Sequence, residues 1–314
     1  LPLFLILGFG VVLDVAGVLP RQTGSIIGAY VLYVALPVML LRILAGSSVD
    51  DIMHGGFWAA LVAAQLIIYG LTYAGEFFLG RRGHGPAAAI AMASSCCNAA
   101  FIGLPVVLSL MPGNREAMIA AGLTVIIPNA VFVPCQIEME FLKRSGSESG
   151  GAVGKMAKAV FLNPLMLGMF AGLALGATGV GLWKPLDRAA ELVGNTTAPC
   201  MLLALGLDLR AKLRVGLSGD WKRRMPRISA VAAIKLVLNP ILAWALLSLC
   251  GVTGTWLAVG VIQSGTATAL VTYVVAEIYG FVSEEVAMIA VVTNVLNLFS
   301  LAVIAAVLRS MGLM

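Results

Sequence analysis

Ten apolar stretches separated by short polar gaps run the length of the chain: residues 1–18, 24–46, 57–80, 87–111, 116–141, 160–182, 186–208, 227–250, 255–280 and 285–308. A helix that crosses a bilayer needs roughly 20 mostly apolar residues, and each stretch has about that length. The pattern therefore predicts an all-α integral membrane protein of ten transmembrane helices, numbered here in chain order. No basic segment precedes Leu1–Val18, so that run is read as a helix rather than a cleaved signal. The long gap Lys143–Lys158 is rich in Gly and Ser and reads as a flexible linker. It divides the chain into a first five-helix half (1–142), a cytoplasmic linker (143–159) and a second half (160–314).

The two halves resemble each other. Leu36-Pro37-Val38-Met39 in helix 2 matches Ala198-Pro199-Cys200-Met201 in helix 7, and Ser94-Ser95-Cys96-Cys97-Asn98 in helix 4 lines up with Ser264-Gly265-Thr266-Ala267-Thr268 in helix 9. Pro128-Asn129 in helix 5 lines up with Thr293-Asn294 in helix 10. Because five is odd, two such repeats cross the membrane in opposite senses, and inverted repeats are a signature of carriers.

Composition agrees with a membrane setting. Of the 314 residues 60% are hydrophobic and 11% charged, against about a quarter charged in a soluble domain, and the mean hydropathy is +1.00. The net charge of +5 carries no basic stripe with interleaved aromatics, which argues against nucleic acid as a partner. Lys and Arg instead set topology. Fourteen fall in one set of alternate loops and five in the opposite set with the C-terminal end, which puts the 143–158 linker in the cytoplasm and both termini outside. The 281–284 turn is the exception, with Glu284 and no base. The five cysteines lie in apolar runs without C-x-x-C spacing and read as small packing residues. No metal or cofactor motif is present.

Helices 4 and 9 are the candidate site. Both are rich in Gly, Ser and Thr, and helix 4 carries Pro105, so both are prone to unwind. Unwound backbone at membrane depth survives only where protein or a water-filled cavity satisfies it, and half-helix N-termini favour anions. The substrate-binding candidates are Cys97, Asn98, Ala99 and Gly103 in helix 4, with Gly265, Thr266, Ala267 and Thr268 in helix 9. The alternative is that these small residues serve only close helix packing. Asn98 leads the set, since its amide donates to a carboxylate and accepts from a hydroxyl; Thr268 is its counterpart. Lys235, alone in an apolar run, is the candidate charge. It either binds a carboxylate, releases a proton during transport, holds unwound carbonyls, or snorkels to the interface. Gln65 is its repeat counterpart, and Gln263, Asn129 and Asn294 are further coupling candidates; Asn129, Asn294 and Asn297 either face the cavity or bond across helices. Pro37, Pro105 and Pro199 are expected helix breaks. Glu138, Glu140, Asp14, Glu76 and Asp208 read as interfacial, and His54 and His84 as loop residues. The Gly168, Gly172, Gly176 ladder on helix 6 is expected to pack within the protomer.

The chain resembles the auxin efflux carrier family, in particular its bacterial malonate-transporter-like branch. The resemblance spans essentially the whole chain. It rests on Asn98-Ala99-Ala100-Phe101-Ile102-Gly103-Leu104-Pro105, on Ala276-Glu277-Ile278-Tyr279-Gly280, on Asn163-Pro164, on Ala198-Pro199 with Leu205-Gly206-Leu207-Asp208-Leu209, and on Lys235 with Asn239-Pro240. It implies an inverted five-plus-five repeat of the bile-acid-symporter or antiporter type, with helices 1, 2, 6 and 7 as scaffold. Helices 3–5 and 8–10 would be a transport unit, with helices 4 and 9 crossing beside the substrate. It also implies elevator-like alternating access, a bacterial inner membrane and a homodimer through the scaffold. The family has proline at both crossovers; this chain has Cys97 and Ala267 there, which leaves the sharpness of the breaks open. The long cytoplasmic loop of the plant carriers is absent. The function expected is a secondary carrier of a small carboxylate such as malonate, with H+ or Na+ as candidate coupling ion. The alternatives are a cation-coupled symporter or antiporter of the bile-acid-symporter type and a membrane ligand sensor. No H-E-x-x-H occurs and no His lies in a span, so an intramembrane enzyme is not expected.

Overall fold

The computed structural model describes residues 2–20, 22–47, 52–143, 162–216 and 221–314; almost all of the 143–159 linker lies outside them. Among the described residues every regular element is a helix, and the one exception to helices and turns is an isolated bridge between extended residues. Five helices are long and apolar enough to cross a bilayer: Thr23–Ala45, Gly55–Leu79, Lys184–Asp208, Arg224–Leu249 and Ser283–Ser310. Shorter apolar helices occupy Leu5–Ala16, Ala99–Leu110 and Pro164–Thr178. The Ser283–Ser310 helix is amphipathic in the sense suited to lipid. Leu296, Phe299, Val303 and Val307 are exposed, while Thr293 and Asn297 are buried on the other face. In water such an apolar stripe would be a liability; in hydrocarbon it is the solvated face.

The chain forms two compact units, each assembled from separate segments. One comprises Leu1–His54, Ala100–Leu123 and Lys158–Lys212; the other comprises Gly55–Ala99, Thr124–Ala157 and Leu213–Met314. Glycine sets the close packing of the first unit. On the Pro164–Thr178 helix, Gly168, Gly172 and Gly176 lie against the backbone of Pro37, Leu41 and Leu44, so the ladder packs within the chain. Gly10 and Gly206 bring Pro2–Ala16 equally close to Thr197–Gly216. In the second unit the 84–95 helix packs between Gly55–Ala74 and Asn129–Lys143, around Ala88, Met92, Cys135 and Met139.

Proline shapes the helices without always ending them. Three times a five-residue turn of π geometry, Val31–Ala35, Ala99–Gly103 and Ile234–Leu238, is followed two residues later by Pro37, Pro105 or Pro240. Proline has no N–H and its ring crowds the carbonyl four residues back; widening the preceding turn relieves both problems. Thr23–Ala45 therefore runs on past Pro37 rather than breaking. Pro199 sits in the first turn of Thr197–Gly216, just after the interruption at Asn195-Thr196. Predicted helix 5 is itself interrupted: Arg115–Leu123 ends, residues 124–128 form turns, and helix resumes at Asn129–Lys143. Pro128 closes that gap. Thr293-Asn294, aligned with it in the sequence, contains no proline and lies within an unbroken helix.

One end of the second unit carries a charge cluster. Arg82 pairs with Glu285 at 2.9 Å and Glu76 at 3.5 Å; Arg227 pairs with Glu76 at 3.3 Å and Glu285 at 3.6 Å; Arg224 pairs with Glu284 at 2.6 Å. Glu284, the acid that broke the positive-loop pattern, is thus a partner of the neighbouring basic segment. Glu285 sits at the centre. Glu285→Gln is expected to cost about 1–3 kcal/mol, between the limits for exposed and fully buried pairs. Thermal unfolding of the purified variant checks it, and the deficit should shrink when Arg82→Gln is added.

Candidate functional site

Two helices of the second unit end in mid-course, and their extended continuations pair. The His84–Ser95 helix stops at Cys96, whose backbone is extended (φ −69°, ψ 115°). The Gly254–Ser264 helix stops at Gly265 and helix resumes at Val271–Tyr279. Between these ends Cys97 and Thr268 form an antiparallel bridge. The Asn98 N–H donates to the Ala267 carbonyl at 2.9 Å and the Ala269 N–H to the Cys96 carbonyl at 3.1 Å. Each break satisfies the other's backbone, which is how non-helical chain persists away from water.

Neither break needs proline. Ser94 and Ser95 turn their hydroxyls back on the Ala91 carbonyl, and Ser264 does the same to Gly260 and Val261. Thr266 donates to the Gln263 carbonyl at 2.7 Å. Hydroxyls that bond the last carbonyls of a helix offer the chain an alternative to the next helical turn. The sharpness left open by Cys97 and Ala267 is thereby accounted for.

The second break is held by side chains from Ser283–Ser310. Asn297 accepts from the Ala267 N–H at 3.0 Å and donates to the Gly265 carbonyl at 2.8 Å. Thr293 accepts from the Thr268 N–H at 3.2 Å, and Asn294 donates to the Thr268 carbonyl at 3.4 Å. Thr268 in turn donates its hydroxyl to the Ala93 carbonyl at 2.7 Å. The N–H groups of Ala267, Thr268, Ala269, Thr272 and Tyr273 are all engaged.

The buried charge at the crossover is Lys235. It lies in the π turn Ile234–Leu238, is 0% exposed, and is aimed at the crossover. Its Nζ donates to Cys97 Sγ at 2.9 Å and to the Ser264 carbonyl at 3.4 Å. Asn239, one turn on, donates to the same sulfur at 3.7 Å. Among the described residues no carboxylate forms an ion pair with Lys235, and its amine, buried against Cys97 and Ser264, does not reach solvent. Beside it is a cavity of about 20 Å³ lined by Gln65, Cys97, Ala99, Asn239, Gln263 and Ser264, among others. That space holds about one water molecule. Among the described residues, Gln65 Oε1, Asn239 Oδ1 and Asn98 Nδ2 are buried without a hydrogen-bond partner. Such atoms are costly unless something binds them.

The structure thus brings Cys97, Asn98, Ala99, Gly265, Thr266, Ala267, Thr268, Lys235, Gln65, Gln263 and Asn294 into the second unit around the two breaks. Gly103 and Pro105 lie farther along helix 4, in the first unit, as do Pro37 and Pro199. The side chain of Asn129 lies outside the described residues. Sequence reasoning missed three things: the thiol–amine contact, the role of Asn239, and the setting of Glu138. Glu138 accepts hydrogen bonds from Tyr69 and Tyr73 at 3.0 Å each, and Tyr73 also meets His84. The i, i+4 spacing of the two tyrosines is the signal that could have found this group.

Comparison with known proteins gives this geometry a family. The family model described as membrane transport protein matches residues 1–148 and 152–305. The chain belongs to the auxin efflux carrier family. This family member is 24% identical over 294 residues to the "Putative malonate transporter" of Rhizobium meliloti (strain 1021), with 93% of this chain and 89% of that protein aligned. It is a multi-pass membrane transport protein, not an enzyme.

Proposed function

We propose that this chain is a secondary transporter that moves a small organic anion, malonate or a related carboxylate, with the substrate held at the crossover of the two broken helices. The observation that carries this reading is the fully buried Lys235, which has no carboxylate partner among the described residues and points at paired backbone breaks. Around it, Asn98 Nδ2 offers a donor suited to a carboxylate oxygen. The likeness to a protein described as a malonate transporter supports the same substrate class.

The mechanism proposed is elevator-like alternating access. Ten spans form two inverted repeats, with a scaffold of helices 1, 2, 6 and 7 and a transport unit of helices 3–5 and 8–10. A cavity of about 20 Å³ has room for a water but not a dicarboxylate, so loading requires the site to open. The setting proposed is a bacterial inner membrane, with both termini outside and a homodimer through the scaffold.

The test is ligand-dependent melting of the purified protein with malonate and other small carboxylates. A ligand that binds only the folded state raises the melting temperature with its occupancy. Malonate should stabilise the parent. Asn98→Ala should weaken binding by about 10- to 100-fold, the worth of one hydrogen bond to a charged group. An unchanged affinity in Asn98→Ala moves the site away from the crossover; no stabilisation by any carboxylate sinks the substrate class.

A further inference from the structure

Two buried oxygens at the cavity have no donor. Gln65 Oε1 and Asn239 Oδ1 are without a hydrogen-bond partner among the described residues, in side chains that are 3% and 0% exposed. They come from two helices that pack against each other, Gly55–Ala74 and Asn239–Leu249, and both residues line the cavity of about 20 Å³. Asn239 donates through Nδ2 to Cys97 Sγ at 3.7 Å, which leaves Oδ1 as the open atom of its amide. The donors are Lys235 Nζ, which meets the cavity wall at Cys97 and the Ser264 carbonyl, and Asn98 Nδ2, on the residue next to Cys97. No charged residue lines the cavity itself. The site therefore joins a cation and an amide donor to two open acceptors.

We propose that the site selects a singly charged carboxylate that carries an O–H donor at its other end, either a hydroxy acid or a dicarboxylic acid with one carboxyl protonated. Lys235 and Asn98 hold the carboxylate, and Gln65 Oε1 and Asn239 Oδ1 accept from the O–H. A second carboxylate would bring its lone pairs against those oxygens, where neither side finds a donor. An ammonium group on the ligand would satisfy the acceptors but would set a like charge beside Lys235 in a buried site. An ester or methyl group in that place leaves both acceptors orphaned. A buried site built to bond a hydroxyl rejects the analogue without one for this reason. Gln65 and Asn239 are thus specificity-determining residues: they read the uncharged end of the ligand.

This inference rests on the carrier reading above and deepens it, and the test separates the two. Calorimetry measures the affinity of the purified protein for malonate, its monomethyl ester and 3-hydroxypropanoate, at a pH where every carboxyl is ionised. Malonate then carries two charges and no O–H, the ester one charge and no O–H, and 3-hydroxypropanoate one charge and an O–H. The hydroxy acid should bind about tenfold more tightly than either of the others, the worth of one buried hydrogen bond. On acidification into the range where one malonate carboxyl is protonated, malonate affinity should rise while that of 3-hydroxypropanoate stays level. If malonate affinity does not rise, or both rise alike, the protonated dicarboxylic acid is excluded and the hydroxy acid remains. Gln65→Met and Asn239→Leu each remove one acceptor at similar volume, and each should bring the affinities for the hydroxy acid and the ester together. A preference that survives in both folded variants overturns the assignment of the acceptors. Should the variants fail to fold, the three ligands still decide the matter on the parent. Equal affinities for the hydroxy acid and the ester, or tightest binding of the malonate dianion, overturn the proposal and leave the carrier standing. No binding of any carboxylate by the parent removes both readings.

Discussion

Replacing Asn297 by alanine is expected to destabilise the protein by roughly 2–6 kcal/mol, because two buried backbone groups lose their partner at once. Asn297 is 1% exposed. Its Oδ1 accepts from the Ala267 N–H at 3.0 Å and its Nδ2 donates to the Gly265 carbonyl at 2.8 Å, so one amide stands in for a missing turn of helix on both sides of the break. Water cannot take over where the site is shut off from solvent, so each orphaned group would bear its full desolvation cost. Asn294→Ala is the control. Its Nδ2 bonds the Ala290 carbonyl at 2.6 Å, within its own helix, and reaches Thr268 only at 3.4 Å. Its loss should cost about 1 kcal/mol. Denaturant unfolding in detergent measures both. Equal, small effects would mean that the break is held by its pairing with Cys96–Asn98 rather than by the Asn297 amide.

Asn297 also shows which parts of this site can be read in a sequence. The places where helices 4 and 9 break are legible, because clusters of Gly, Ser and Thr in an apolar run are a local cue with a local cause, visible in the back-bonded hydroxyls of Ser94, Ser95 and Ser264. The prolines are legible as irregularities but not as to outcome. Pro37 and Pro240 widen a turn within a continuing helix, whereas Pro128 closes a gap, and the difference lies in whether the neighbouring residues can keep the ladder. What joins the two breaks is not legible. Cys97 and Lys235 are 138 residues apart in sequence, and helical periodicity says which face a lysine occupies on its own helix, not which sulfur it meets. A cysteine in an apolar run reads as packing for the same reason. Nor is the anchoring of the second break legible: Asn297 and Thr293, from a different helix, take the N–H groups of Ala267 and Thr268.

The charge cluster repeats the lesson from the other side. Glu284 in a turn expected to be basic looks like an exception to the loop pattern. In the folded unit it lies beside Arg224, 60 residues away. Charge-based topology weighs each loop by its own residues, and a loop whose acids are neutralised by another loop contributes little to that weighting.

Enlarging Gly172 should have an effect as large as that of Asn297→Ala, for a purely steric reason. A methyl group on Gly172 would lie 2.7 Å from the Leu41 carbonyl oxygen and 2.9 Å from the Leu41 Cα. The obstruction is the backbone of the facing helix, which cannot rotate aside as a side chain can. A methyl on Gly176, one turn on, would likewise lie 2.5 Å from the carbonyl oxygens of Leu44 and Ser47, so relief would require the two helices to separate along their length. Without a hydrophobic drive between helices in lipid, that close approach is itself the source of their attraction. Gly172→Leu should cost about 3 kcal/mol or more, the upper end for overpacking, and Gly172→Ala a large part of it. Gly28→Ala, on a helix of the same unit but with nothing within 4 Å of the added methyl, should be neutral or gain up to about 1 kcal/mol from helix propensity. Melting of the three variants decides the matter. If Gly172→Leu melts with the parent, these helices do not hold the first unit together, and the contact drawn between Pro164–Thr178 and Leu36–Ala45 is not the one the protein uses.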